Sequence, residues 1–118
     1  MGYELLPGAF LFLKLPNSIG NYPEPNKRPL SSTVPTIVEH ADGSFYLALG
    51  GSGGSKIFPA VAQVLLGIDE WGLDASAAVE WGRVHDQLYP LEVEVDSTIA
   101  EEVIQALKNR GHNVTGTF

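Results

Sequence analysis

The chain has 118 residues and a formal net charge of −7, from 14 acidic against 7 basic side chains. That length is one domain or a piece of one, and that charge repels a phosphate backbone, which argues against nucleic-acid binding. No cysteine is present, so disulfides, thiolate catalysis and thiolate metal sites are excluded, while the compartment stays open.

The hydrophobic fraction of 44% is ordinary and fills a modest core. Residues 1–16 hold an apolar run (Leu5, Leu6, Ala9, Phe10, Leu11, Phe12, Leu13, Leu15) broken by Pro7, Gly8 and Lys14. It is too short for a bilayer span. As a signal peptide it carries Glu4 where positive charge belongs, and Pro7 interrupts its helix. A buried strand or a misjoined segment is the expectation. Asn17 to Pro29 reads as a loop, since Pro16, Pro23, Pro25 and Pro29 deny it regular hydrogen bonding. Lys27-Arg28 within it is either a contact for a carboxylate or a solvated pair.

Val34 to His40 has the β-branched character of a strand, Asp42-Gly43 supplies a tight turn, and Ser44 to Leu49 alternates as the returning strand. Gly50, Gly51, Gly53 and Gly54 then lead into the apolar segment Ile57 to Leu66. Amides of a loop at a helix N-terminus favour negative charge. Ser31 and Ser32 before the hairpin and the glycines after it read as two hydroxyls at one end and a nest of amides at the other, the layout of an anion or oxyanion site. The competing reading has the serines satisfying turn amides and the glycines making a tight connection. A nucleotide loop is disfavoured, because Ser55 precedes Lys56 and Ile57 follows it.

Ser55 is the expected N-cap of a helix with Ile57, Ala60, Val61, Val64, Leu65 and Ile68 at helical spacing, Pro59 in its first turn and Gly67 at its fraying end. Asp74 is the expected cap of a short helix over Ala75 to Gly82, with Ala77, Ala78 and Trp81 on its apolar side. Leu91 to Val95 alternates as a strand, and Ser97 is the expected cap of a third helix closed by Gly111, with Lys108 and Arg110 near its C-terminus. Asn113 to Phe118 begins another strand.

His85-Asp86 looks like half of a hydrolytic triad, yet neighbours in a strand point to opposite faces, so a structural role is expected. His40, His85 and His112 lack ligand spacing, so no metal is expected. Trp71 and Trp81 are read as core or interface. Glu80, Glu92, Glu94, Glu101 and Glu102 read as a solvated acidic face. Asn113-Val114-Thr115 is a glycosylation sequon, meaningful only in a secreted chain.

Lys27-Arg28-Pro29-Leu30-Ser31-Ser32, Pro35-Thr36-Ile37-Val38 and Gly53-Gly54-Ser55-Lys56-Ile57, in that order and spacing, resemble the small subunit of γ-glutamyltransferases (glutathione hydrolases), most like the fungal branch. The likeness runs from about Pro23 to the end. It implies an α/β fold of the N-terminal-nucleophile (Ntn) hydrolase type: an incomplete half of an αββα sandwich, with antiparallel strands and packed helices. It divides the chain into an atypical segment, 1–22, and a partial small-subunit domain, 23–118. By the same resemblance Ser31 and Ser32 bind the α-carboxylate of the γ-glutamyl group, and the amides of Gly53 and Gly54 form the oxyanion hole.

The resemblance further implies a threonine nucleophile whose own α-amine is its base, glutathione or another γ-glutamyl compound as donor, and water, an amino acid or a peptide as acceptor. It implies no cofactor, a large-subunit chain as a partner, and a secreted, cell-surface or vacuolar location. Thr33, Thr36, Thr98, Thr115 and Thr117 lie outside the family's nucleophile context, and the acidic motif that grips the α-amino group is missing before residue 16. A truncated chain or a foreign start is therefore expected, with the C-terminus also cut short. The rival readings are a non-catalytic γ-glutamyl- or carboxylate-binding remnant and an unstable fragment with open sheet edges.

Overall fold

Strands form on β-branched residues in Thr36-Ile37-Val38 and on aromatic and aliphatic ones in Phe45-Tyr46-Leu47. The computed structural model describes residues 19–116; the apolar run before them and the last two residues of the expected final strand lie outside. A 3-10 turn, Ile19–Asn21, precedes β1, Thr36–Glu39, which pairs antiparallel with β2, Phe45–Leu49. The connection works as expected from Asp-Gly. Gly43 adopts φ 82°, its amide donates to the His40 carbonyl at 2.9 Å, and the His40 amide donates to the Ser44 carbonyl at 2.8 Å. A register shift between Val38 and Glu39 leaves Tyr46 without a cross-strand partner, and its ring lies 4.9 Å from that of His40.

The Asp42 carboxylate closes the same turn, accepting from the Ser44 amide (2.9 Å) and hydroxyl (2.6 Å). Asp96 does likewise for the amide and hydroxyl of Thr98, both at 2.9 Å. The Ser44 hydroxyl and amide hold the Asp42 carboxyl below its usual 3.8, and the Thr98 amide and hydroxyl do the same for Asp96. A depressed carboxylate contributes stability above its unfolded pKa and loses it as pH falls through the lower folded value. Both turns are therefore expected to loosen only below about 3.8. A carboxyl-carbon NMR titration checks this, and Asp42→Asn, which keeps an acceptor for the Ser44 amide, removes the Asp42 component.

After the glycine loop a 3-10 turn, Gly54–Lys56, runs into helix α1, Ile57–Asp69. Ile57, Val61 and Val64 fall on one helical face and are buried. Two expectations need correction. Ser55 does not cap α1: the added 3-10 turn moves the N-cap to Lys56, without a side-chain bond, and the Ser55 hydroxyl points elsewhere. Gly67 does not end the helix. It is buried inside α1, and a Cβ there would stand 3.3 Å from Leu73 Cδ1 and 3.5 Å from Ala78 Cβ, so the missing side chain admits the next helix.

That helix, α2, spans Ala75–Glu80, two residues shorter than expected, and Asp74 caps it as anticipated by accepting from the Ala77 amide at 2.8 Å. Asp74→Ala is expected to cost about 1 kcal/mol, read as a lower urea midpoint with unchanged m. Trp71 and Trp81 do not enter the core. They remain 58% and 54% exposed with ring centroids 6.2 Å apart.

Strands β3, Val84–His85, β4, Val93–Val95, and β5, Val114–Gly116, form a second sheet in that order. β3 and β4 run antiparallel, but β4 and β5 run parallel, against the expectation of antiparallel strands throughout. The reason is α3, Glu101–Asn109, which carries the chain back along the sheet before β5 begins. Val93 and Val95 are buried, whereas Leu91 is exposed and precedes the strand, because the chain turns where the Glu92 amide donates to the Pro90 carbonyl. Ser97 does not cap α3. Asp96, the stronger acceptor, takes the turn, and the N-cap is Ala100. At the other end Gly111, φ 92°, donates to Lys108 and His112 to Leu107, which is a Schellman closure.

The buried apolar residues among those described are Ile57, Val61, Val64, Ala78, Val93 and Val95. The core thus lies with α1, α2 and the second sheet. The hairpin stands outside it, with Ile37 71% and Phe45 67% exposed. None of the described helices is long and apolar enough to cross a membrane.

Candidate functional site

The hairpin has the two serines in the segment before it and the glycine loop directly after it. Thr36 pairs with Leu49, so residues just before β1 and just after β2 leave from the same open end. The sequence reading of hydroxyls at one end and amides at the other is corrected by this antiparallel register: the ends of the segment are one end of the hairpin.

Ser31 and Ser32, five and four residues before β1, are exposed. Ser31 Oγ lies 2.8 Å from Thr33 Oγ1 and accepts from the Thr33 amide at 3.1 Å, so its hydroxyl closes a local turn. Beside them, Lys27, Arg28, Asn21 and Leu30 line a hollow of about 250 Å³. The Leu30 amide donates to Asn21 Oδ1 at 3.1 Å, and Lys27 makes a loose surface pair with Glu24 at 3.8 Å. Two cations lining one hollow, with the serines following them in sequence, are suited to a carboxylate.

Gly53 and Gly54 adopt φ 130° and 60°, values that L side chains rarely reach. The Gly53 carbonyl accepts from the Lys56 amide at 3.2 Å and that of Gly54 from the Ile57 amide. Their own N–H groups open the first helical turn, where donors have no partner within the helix. Amides in this position can donate to an anion or to a developing oxyanion.

The loop is held from behind. Ser55 Oγ donates to Gln87 Oε1 at 2.7 Å, and Lys56 Nζ is paired with Glu94 on β4 at 2.5 Å. Gln87 in turn donates through Nε2 to the Tyr89 carbonyl at 2.8 Å, while His85 Nε2 lies 2.8 Å from Gln87 Oε1. His85 is 4% exposed. Asp86 points away, accepting from the Leu88 amide at 2.9 Å. His85 and Asp86 therefore do not form a catalytic couple, as the strand geometry required. Leu88 takes φ 69°, an unfavourable region for leucine that costs on the order of 1–3 kcal/mol and persists only where surroundings impose it.

Sequence reasoning passed over Gln87 and Gln63. For Gln63 the available signal was a polar amide in an apolar helical run, whereas Gln87, after His85-Asp86, carried none, and their partners lie 21 and 32 residues away. Away from this site, Trp71, Trp81, Gly82, Thr98, Ile99 and Val103 are among the residues lining a cleft of about 540 Å³. Among the described residues, no three histidine, aspartate or glutamate side chains converge as a metal site.

This mixed α/β arrangement matches part of the Ntn-hydrolase structures of γ-glutamyltranspeptidases. A threonine-to-alanine mutant of Helicobacter pylori γ-glutamyltranspeptidase superposes with a TM-score of 0.79 at 33% identity, over 87% of this chain and 55% of that one. The γ-glutamyltranspeptidase family profile matches residues 7–117, and the chain belongs to that family. Glutathione hydrolase proenzyme 1 of Schizosaccharomyces pombe is 42% identical over 108 residues, 92% of this chain and 17% of the relative. Glutathione hydrolase 7 of Bos taurus is 37% identical over 120 residues, 93% of this chain and 18% of the relative. The chain thus spans less than a fifth of the length of these relatives.

Proposed function

We propose that residues 23–118 represent part of the small-subunit region of a γ-glutamyltransferase of fungal type, and that the open end of the hairpin binds and polarises a γ-glutamyl group. The observation that carries this reading is the antiparallel register of β1–β2, by which the segment holding Ser31 and Ser32 enters, and the loop holding the positive-φ residues Gly53 and Gly54 leaves, at the same end of the hairpin. Ser31 and Ser32 hold the α-carboxylate, and Gly53 and Gly54 donate to the γ-carbonyl oxygen. The names of the similar glutathione hydrolases favour glutathione as the γ-glutamyl compound.

In the reaction a threonine hydroxyl supplied by another chain or region attacks the γ-carbonyl, its α-amine takes the hydroxyl proton, and the amide C–N bond breaks with protonation of the leaving amine. Water or an amino-acid acceptor then releases the γ-glutamyl group. A preorganised oxyanion donor is worth about 3 kcal/mol in the transition state. This chain's contribution is binding and polarisation, with the nucleophile outside it.

The test is a titration of ¹⁵N-labelled full chain with L-glutamate. The Gly53 and Gly54 amides shift on binding, and the Ser31→Ala/Ser32→Ala double variant weakens affinity about tenfold or more, the size expected for bonds to a charged group. Gly53 and Gly54 resonances that ignore saturating glutamate reject the site. The pure chain leaves a γ-glutamyl anilide uncleaved; turnover would place a nucleophile within it and overturn that part of the reading.

A further inference from the structure

We propose that Gln87 is a positioning residue for the glycine loop, holding Gly53 and Gly54 in donor geometry through Ser55; this rests on the oxyanion reading above. The orientation of the amide follows from its partners. A carbonyl can only accept, so the Tyr89 oxygen at 2.8 Å requires Gln87 Nε2 on its side. Oε1 therefore faces Ser55 and His85. Ser55 must donate its hydroxyl hydrogen there, and His85 must carry its hydrogen on Nε2.

A single acceptor atom thus joins the turn that carries Gly54 to the end of β3, across 32 residues of sequence. Ser55 immediately follows Gly54, so its anchor limits the rotation of the Gly54–Ser55 peptide. Two features indicate that the anchor itself is stiff. His85 is buried in the second sheet, and Leu88, next to Gln87, is kept at φ 69° with its amide tied to Asp86. Positive-φ glycines have no side chain to restrain them and need such an external tether to stay preorganised.

The experiment is backbone ¹⁵N relaxation of the full chain, in the wild type and in Gln87→Ala, Ser55→Ala and Gln87→Glu, with a glutamate titration of each. The wild-type order parameters of Gly53 and Gly54 are expected near 0.85, falling below about 0.6 in either alanine variant. Glutamate affinity falls about tenfold, while amide shifts of β4, α3 and β5 stay in place. Gln87→Glu keeps an acceptor for Ser55 but, as a carboxylate, sets an oxygen against the Tyr89 carbonyl, so loop order is expected to return only on acidification, where the protonated oxygen donates to Tyr89. The double variant Ser55→Ala/Gln87→Ala is no looser than either single one, because both cut the same link.

Unchanged order parameters in Ser55→Ala and Gln87→Ala, with the glutamate response intact, overturn the tether alone. Wild-type Gly53 and Gly54 amides that ignore glutamate overturn the oxyanion reading instead, and leave Gln87 nothing to position. Should Gln87→Ala fail to fold, Ser55→Ala cuts the link from the loop side and decides the question.

Discussion

Gln63→Leu is expected to lower the unfolding free energy by about 2–4 kcal/mol, the cost of leaving two or three partly buried backbone groups without partners. Gln63 projects from α1 against β3, one of the two edge strands of the second sheet among the described residues. Its Nε2 donates to the Val84 carbonyl at 2.8 Å and to the Pro59 carbonyl at 2.9 Å, while its Oε1 accepts from the Val84 amide at 3.0 Å. One side chain thus satisfies both the donor and the acceptor of a strand residue, as a neighbouring strand would, and closes that edge to other chains. Leucine has similar bulk and fills the space, so the loss isolates the polar term. Urea unfolding should show a lower midpoint with unchanged m, and a loss under about 0.5 kcal/mol would mean that water replaces the amide.

Gln63→Glu separates donation from acceptance at the same place. At neutral pH its carboxylate faces two carbonyl oxygens and can donate to neither. This raises its folded pKa above the ordinary value of about 4.3. The sign follows: the stabilising protonated form is complete below that value and is lost as pH rises through the folded pKa. The glutamate variant is therefore expected to gain stability on mild acidification, in the range where the wild type does not.

The features legible in the sequence were those whose cause is local. Asp42-Gly43 made its turn, Asp74 capped its helix and Gly111 closed α3, because each depends on bonds spanning two to five residues. The helical spacing of Ile57, Val61 and Val64 likewise found the core face of α1. The errors share a different origin. Ser55 and Ser97 have good cap chemistry, but Ser55 is claimed by Gln87 and Asp96 outcompetes Ser97 for its turn. Gly67 looked like a terminator because its reason for being glycine is Ala78 on another helix. The parallel β4–β5 pairing depends on the path of α3, which alternation of side chains cannot reveal. For the proposed site, residue types and spacing, with the family resemblance, pointed to Ser31, Ser32, Gly53 and Gly54. That the flanking segments leave β1 and β2 at one end needed the pairing register, and the backing of Ser55 by Gln87 needed contacts distant in sequence.

Gly82→Ala is expected to cost about 1–3 kcal/mol, the range for overpacking a fitted contact. A Cβ on Gly82 would stand 2.5 Å from Thr98 Oγ1, with Ile99 Cδ1 at 3.0 Å and Cγ1 at 3.2 Å. The isoleucine tip can give way, but the threonine cannot do so freely. Its Oγ1 donates to Asp96 at 2.9 Å, and its amide is bound to the same carboxylate. A β-branched residue so tied has few rotamers to escape into. The strain therefore falls on the backbone between α2 and β3, two residues ahead of Val84 and three ahead of His85, where the second sheet begins. A double-mutant cycle with Thr98→Ala tests the cause. If the clash with Oγ1 dominates, the double variant is less destabilised than the sum of the singles by about 1 kcal/mol or more, whereas additivity within about 0.5 kcal/mol assigns the cost to Ile99 or the backbone.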